Sequence, residues 1–139
     1  GDPEPLRDGV DRAIGGVDHG WRGGERSWLQ YEWPGPREVR GLRLVLDSNL
    51  ERHYSEMRQR SNFALGAEPV AVAPQLVRRF RVEAMSDGGS WRTVAEERDN
   101  HQRLVRVRPP EAVRTRALRL LPGDTWGARE RHLFAWDVE

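Results

Sequence analysis

Phe80-Arg-Val-Glu-Ala-Met-Ser-Asp-Gly-Gly-Ser-Trp91 is the stretch that decides the fold class of this chain. Phe80, Val82 and Ala84 alternate with Arg81 and Glu83, the period-two pattern of a strand that buries one face and wets the other. Ser86-Asp-Gly-Gly-Ser90 supplies glycines that accept positive φ, so the chain can reverse and resume as a strand at Trp91.

Working outward, the same rhythm continues. Trp91 to Ala95 forms the partner strand, and Asp99-Asn-His-Gln102 reads as a turn. Leu104 to Arg108 is a further strand, stopped by Pro109-Pro110. Ala117-Leu-Arg-Leu-Leu121 follows with Leu118 and Leu120 inward, and Pro122-Gly123 ends it. After a polar loop from Asp124 to Arg131, Phe134, Trp136 and Val138 carry the last expected buried face. Upstream, Ser27-Trp-Leu-Gln-Tyr-Glu-Trp33 places Leu29, Tyr31 and Trp33 on one face and Gln30 and Glu32 on the other. Pro34-Gly35-Pro36 reads as a turn that joins it, as a hairpin, to a strand from Val39 to Asp47, with Leu42, Leu44 and Leu46 inward.

Residues 48–76 break the pattern, with a short helix or irregular turn after Ser48 and extended chain around Pro69 and Pro74. A connection of this length is either functional or a covering loop. Residues 1–26 are rich in Gly, Asp and Arg and read as loop. Seven or eight short strands with scarcely any helix indicate an all-β sandwich or jelly roll of about eight antiparallel strands.

Composition supports that reading. The chain has 139 residues, 37% apolar and 32% charged, which fits one domain (residues 1–139) with a small core and solvated outer faces. All 23 basic residues are arginine, against 22 acidic ones, and the two signs are interspersed, as in Glu96-Glu97-Arg98. Such mixing argues against a nucleic-acid partner, which requires clustered basic charge. The absence of cysteine excludes disulfides and thiolate metal sites. No apolar run approaches the roughly 20 residues of a membrane span, and none has the pattern of a signal peptide. The start at Gly1-Asp-Pro, without methionine, suggests a piece of a longer protein.

Asp8-Gly9, Trp21, Trp28-Leu-Gln-Tyr-Glu32, Phe80-Arg-Val-Glu-Ala84, Ala117-Leu-Arg-Leu120 and Phe134-Ala-Trp-Asp-Val138, in this order, resemble the discoidin-like, galactose-binding-like family. This is the jelly roll of coagulation-factor C domains and many carbohydrate-binding modules. Leu44-Val-Leu-Asp-Ser-Asn-Leu50, Asp99-Asn-His-Gln-Arg-Leu104 and Asp124-Thr-Trp-Gly-Ala128 are similar to the C-terminal module of certain bacterial FAD-dependent oxidoreductases. Nothing in the chain itself reads as a flavin site. Gly15-Gly16 and Gly23-Gly24 lack the G-x-G-x-x-G spacing, so no cofactor is expected.

The resemblance implies that ligands are taken by loops at one end of the sandwich, here residues 17–26, 47–58 and 124–132. In the first, His19 and Arg22 can hydrogen-bond sugar hydroxyls, and Trp21 is either a stacking face for a pyranose or a core plug. In the second, Asp47 and Asn49 are either ligands or turn caps, and Arg52, His53 and Tyr54 are freer of turn chemistry. In the third, Trp126 is an exposed platform or a buried closure. Trp28, Trp33, Trp91 and Trp136 fall within strand patterns, as core or sheet-face residues.

Many relatives of the resemblance hold a structural calcium. Asp8 and Asp11 could contribute to such a site, but His19 and Ala135 stand where oxygen ligands are expected, which argues against it. No H-E-x-x-H or G-x-S-x-G motif is present, so no catalytic residue is expected. The expected role is non-catalytic carbohydrate binding. The alternative is a structural docking domain of a larger, FAD-dependent oxidoreductase, packed on the catalytic domain of the same polypeptide and binding no sugar. A flat apolar patch at Leu65, Val70, Val72 and Leu76 would favour docking.

Overall fold

The computed structural model describes residues 1–49 and 72–139. A 3-10 turn at Glu4–Arg7 precedes eight strands: β1 (Trp21–Gly23), β2 (Leu29–Val39), β3 (Leu42–Leu46), β4 (Phe80–Met85), β5 (Trp91–Glu97), β6 (Leu104–Val107), β7 (Val113–Pro122) and β8 (Arg131–Val138). They form two four-stranded antiparallel sheets, ordered β1-β8-β3-β6 and β2-β7-β4-β5. This is the expected all-β sandwich.

The alternation read in the sequence builds the core. Leu42, Leu44, Leu46, Leu133 and Trp136 of the first sheet meet Leu29, Phe80, Val82, Ala84, Leu118 and Leu120 of the second. Each such leucine withdrawn from water stabilises the fold by about 2 kcal/mol before chain entropy is counted. The Ser86–Ser90 turn forms as expected. Ser86 N–H donates to Ser90 O at 2.7 Å, Gly89 N–H donates to Ser86 O at 2.9 Å, and Gly89 takes φ +84°.

Two expectations fail for local reasons. Pro34-Gly35-Pro36 is not a hairpin turn: it lies inside β2, and β2 and β3 belong to different sheets. Among the described residues β2 is an edge strand that pairs only with β7, and its register shifts between Glu32 and Arg37, so the missing proline N–H groups interrupt no ladder. The chain crosses between sheets at Arg40 and Gly41, whose N–H groups donate to Glu139 O.

The second failure concerns β8. Val45 faces Ala135, but Leu46 faces Leu133, so Phe134 is an extra residue in the strand. Phe134 therefore turns away from the main core and packs with Val45, Ala135 and Ala13 on the outer side of the sheet. Leu133 takes its place inward.

On the outer face of the second sheet, Arg119 stacks over Trp28 at 4.2 Å and Trp91 at 4.0 Å from the ring centroids, so both are sheet-face residues. Among the described residues, no helix is long and apolar enough to cross a membrane.

The registers gather the loops. β3 ends where β6 and β8 begin, so residues 47–49, 99–103 and 124–130 border one end of the first sheet, and Asp18 and Gly20, just before β1, lie against His132.

Candidate functional site

At the start of β8, His132 is almost fully buried, with both ring nitrogens engaged. Its Nδ1 lies 2.9 Å from Asp47 Oδ2 and its Nε2 lies 2.9 Å from Asp18 Oδ1. Both neighbours are carboxylates, the strongest acceptors a ring N–H can meet. Three segments far apart in sequence are tied together this way.

Each carboxylate is further committed. Asp47 Oδ1 accepts the Asn49 backbone N–H at 2.7 Å, an Asx turn that holds Asn49 at φ +57°. Asp18 Oδ1 also accepts the Gly20 N–H, and its Oδ2 accepts Arg22 Nε at 2.6 Å. Arg22 reaches on to Glu130 Oε2 at 3.0 Å.

Burial pushes the Asp47 carboxyl upward, but the bonds from His132 and the Asn49 N–H, with the charges of His132 and Arg22, outweigh it and hold the group below its ordinary value. Asp18 behaves alike: burial is opposed and overcome by Arg22 and His132. Gly20 is required by close approach, since a Cβ there would sit 2.7 Å from Leu133 O and run into the His132 ring.

Around this clamp lies a pocket of about 140 Å³. His132 and Phe134 of β8 line it, with Asp18 before β1, Arg22 within β1, Asp47 and Asn49 from beyond β3, and Arg12 and Arg103 among the rest of the wall. Arg103 lies 5.1 Å from the Phe134 centroid and donates to Leu46 O and Asp11 O. Among the described residues, the Asn49 side-chain amide and the Arg12 guanidinium have no hydrogen-bond partner. The pocket thus offers an aromatic ring, an uncommitted amide, an uncommitted cation and two carboxylates. Its volume lies below the roughly 300–1,000 Å³ of pockets for drug-sized ligands, so it suits part of one sugar ring rather than a longer chain.

The structure brings Arg22, Asp47 and Asn49 of the expected residues into one site. Arg52, His53 and Tyr54 lie outside the described residues. His19 is not in the pocket wall; its Nδ1 lies 2.8 Å from Asp8 Oδ2. Trp21 is the core plug, 4% exposed, so the ligand reading for it is corrected: its ring belongs to the apolar core.

Trp126 closes the sandwich rather than offering a platform. Its indole N–H donates to Asn100 O at 2.8 Å, and Arg78 and His101 pack against its ring. Arg12, Arg103 and Phe134 enter the site unforeseen, as do Asp18 and His132 in their clamping roles. Asp18 and His132 do lie in the first and third of the expected loops, residues 17–26 and 124–132.

The calcium site implied by the resemblance is not fitted by these residues. Both Asp8 oxygens are taken, by His19 and the Val10 N–H, and Asp11 is paired with Arg43.

No family model matches the chain, and no curated protein matches it. Solved structures do. The family 32 carbohydrate-binding module from Streptococcus pneumoniae EndoD is 12% identical, with a TM-score of 0.71 over 99% of this chain and 84% of that one. The family 32 module of Clostridium perfringens NanJ, in complex with galactose, is 11% identical at a TM-score of 0.64, covering 98% of this chain and 82% of that one. A chitosan-binding module from a chitosanase/glucanase of Paenibacillus sp. IK-5 is 11% identical at 0.66, covering 99% and 84%. The chain therefore has the discoidin-like, galactose-binding-like jelly-roll fold.

Proposed function

We propose that the chain is a single non-catalytic carbohydrate-binding module that takes a sugar residue in the pocket beside His132. The observation that carries this reading is the convergence of three loops on hydrogen-bonding groups that are unspent among the described residues. Asn49 and Arg12 face the same small cavity as Phe134, and the His132 clamp fixes its walls before any ligand arrives. Preorganised donors of this kind suit the hydroxyls of a pyranose, whose C–H face can rest on the phenyl ring. The likeness in fold to modules of carbohydrate-active proteins supports the same reading.

Absence of catalysis is part of the proposal. His132 has both nitrogens committed to carboxylates, and His19 is held by Asp8, so neither stands free as a general base. The docking alternative draws nothing from the described part of its expected patch: Leu76 is buried and Val72 packs against the core, while Leu65 and Val70 lie outside the described residues.

A glycan-array screen of the 139-residue chain tests the proposal, run with and without chelator. The expected result is a reproducible hit, unchanged by chelator and lost in Asn49→Ala. A blank array with folded protein would overturn it in favour of the docking role.

A further inference from the structure

A second cavity lies at the far end of β8, five residues from His132 and so about 16 Å away at the rise of a strand. It has a volume of about 320 Å³, and its wall includes Tyr31 and Trp33 of β2. The two rings are parallel, 2° apart in plane, with centroids 6.0 Å apart. Tyr31 is locked in place: its hydroxyl donates to Trp136 O at 2.7 Å, and its ring meets Trp136 edge-on at 4.6 Å. An adjoining cavity of about 180 Å³ shares Arg7 and Tyr31 with the first, and Trp136 lines it. The Trp136 indole N–H is buried and without an acceptor among the described residues.

Charge gives the groove its selectivity. Three carboxylates line it, each paired with an arginine outside the wall: Glu38 with Arg40 at 2.9 Å, Glu139 with Arg106 at 3.2 Å, and Asp137 at 2.7 Å with Arg43, which Asp11 shares; Glu4 and Glu32 line the adjoining cavity and have no arginine partner among the described residues. The two cations of the wall are not neutralised. Arg7 lies 5.7 Å from the Tyr31 centroid and Arg37 lies 5.9 Å from that of Trp33, and neither has an ion-pair partner among the described residues. Flat rings bracketed by two unpaired guanidiniums match a ring with an apolar C–H face and an attached carboxylate.

We infer that this groove is a second carbohydrate site, selective for a uronic acid residue. It does not rest on the reading of the pocket beside His132, since the two share no residue.

Calorimetric titration of the chain with tri-galacturonate and with its methyl ester tests the inference, repeated with tri-mannuronate. The acid form is expected to bind and the ester to bind about tenfold more weakly, as loss of a charge-assisted contact requires. Arg7→Gln and Arg37→Gln, both at exposed positions, each weaken the acid form about tenfold and leave the melting temperature unchanged. Arg22→Gln leaves its affinity unchanged. Equal affinity for acid and ester, unaltered binding in both arginine variants, or no binding of either uronate at millimolar concentration would overturn the inference.

Discussion

His132→Ala is the perturbation with the largest consequence for the architecture of the site. His132 is 4% exposed and Asp47 is 15% exposed, so their charge-assisted bond is shielded and contributes about 2 kcal/mol. The Asp18 carboxylate is 38% exposed, and solvent screening reduces its bond to His132 to under about 1 kcal/mol. The lost ring also packed against Phe134, with centroids 4.5 Å apart, and its removal leaves a void worth about 1 kcal/mol. Together the substitution should destabilise the protein by about 3–4 kcal/mol, a fall in Tm of about 12 °C for a domain of this size.

Urea unfolding followed by tryptophan fluorescence measures this directly. A double-mutant cycle divides it: His132→Gln with Asp47→Asn should show a coupling of about 2 kcal/mol, and with Asp18→Asn under about 1 kcal/mol. A cost below about 1 kcal/mol for His132→Ala, or a coupling to Asp18 larger than that to Asp47, would refute the clamp.

Three further outcomes follow from the same geometry. Asp47 and Asp18 are held below the ordinary 3.8, so on acidification the unfolded chain takes up protons first. The stability they contribute is complete above about pH 5 and is lost as the pH falls through their folded values, and Asp47→Asn should flatten that loss in an acid-unfolding series. Gly20→Ala drives a methyl group against His132 and the Leu133 carbonyl and should cost about 1–3 kcal/mol in urea unfolding, with weakened sugar binding. Trp21→Ala should cost about 3–5 kcal/mol, yet leave the sugar affinity of the remaining folded protein unchanged, because its ring lies in the core; a selective loss of affinity at unchanged stability would return Trp21 to the site.

The hairpin at Ser86–Ser90 was legible because alternation, turn glycines and strand resumption all occur within twelve consecutive residues. The leucine faces of β3 and β7 were legible for the same reason. Pro34-Gly35-Pro36 was misread because prolines signal a turn unless the strand is an edge, and only the sheet order shows that β2 is one. Phe134 was misplaced because a bulge adds one residue without any mark in the local pattern.

The site divides in the same way. Arg22, Asp47 and Asn49 were visible as polar residues beside strand ends. The clamp was invisible because His132 meets Asp47 and Asp18 across 85 and 114 residues of sequence. Such pairs exist only once β1, β3 and β8 are neighbours. The arginine-bracketed groove was hidden likewise, since Tyr31 and Trp33 read simply as an inward strand face.

The most direct measurement of the central claim is a two-dimensional amide NMR titration of the chain with galactose and with whichever glycan scores on the array. The account predicts shifts that saturate and cluster on the backbone around Gly16, Gly20, Asn49 and His132, and that vanish in Asn49→Ala. Shifts absent with every sugar, or centred elsewhere in the protein with galactose or another neutral glycan, would contradict it.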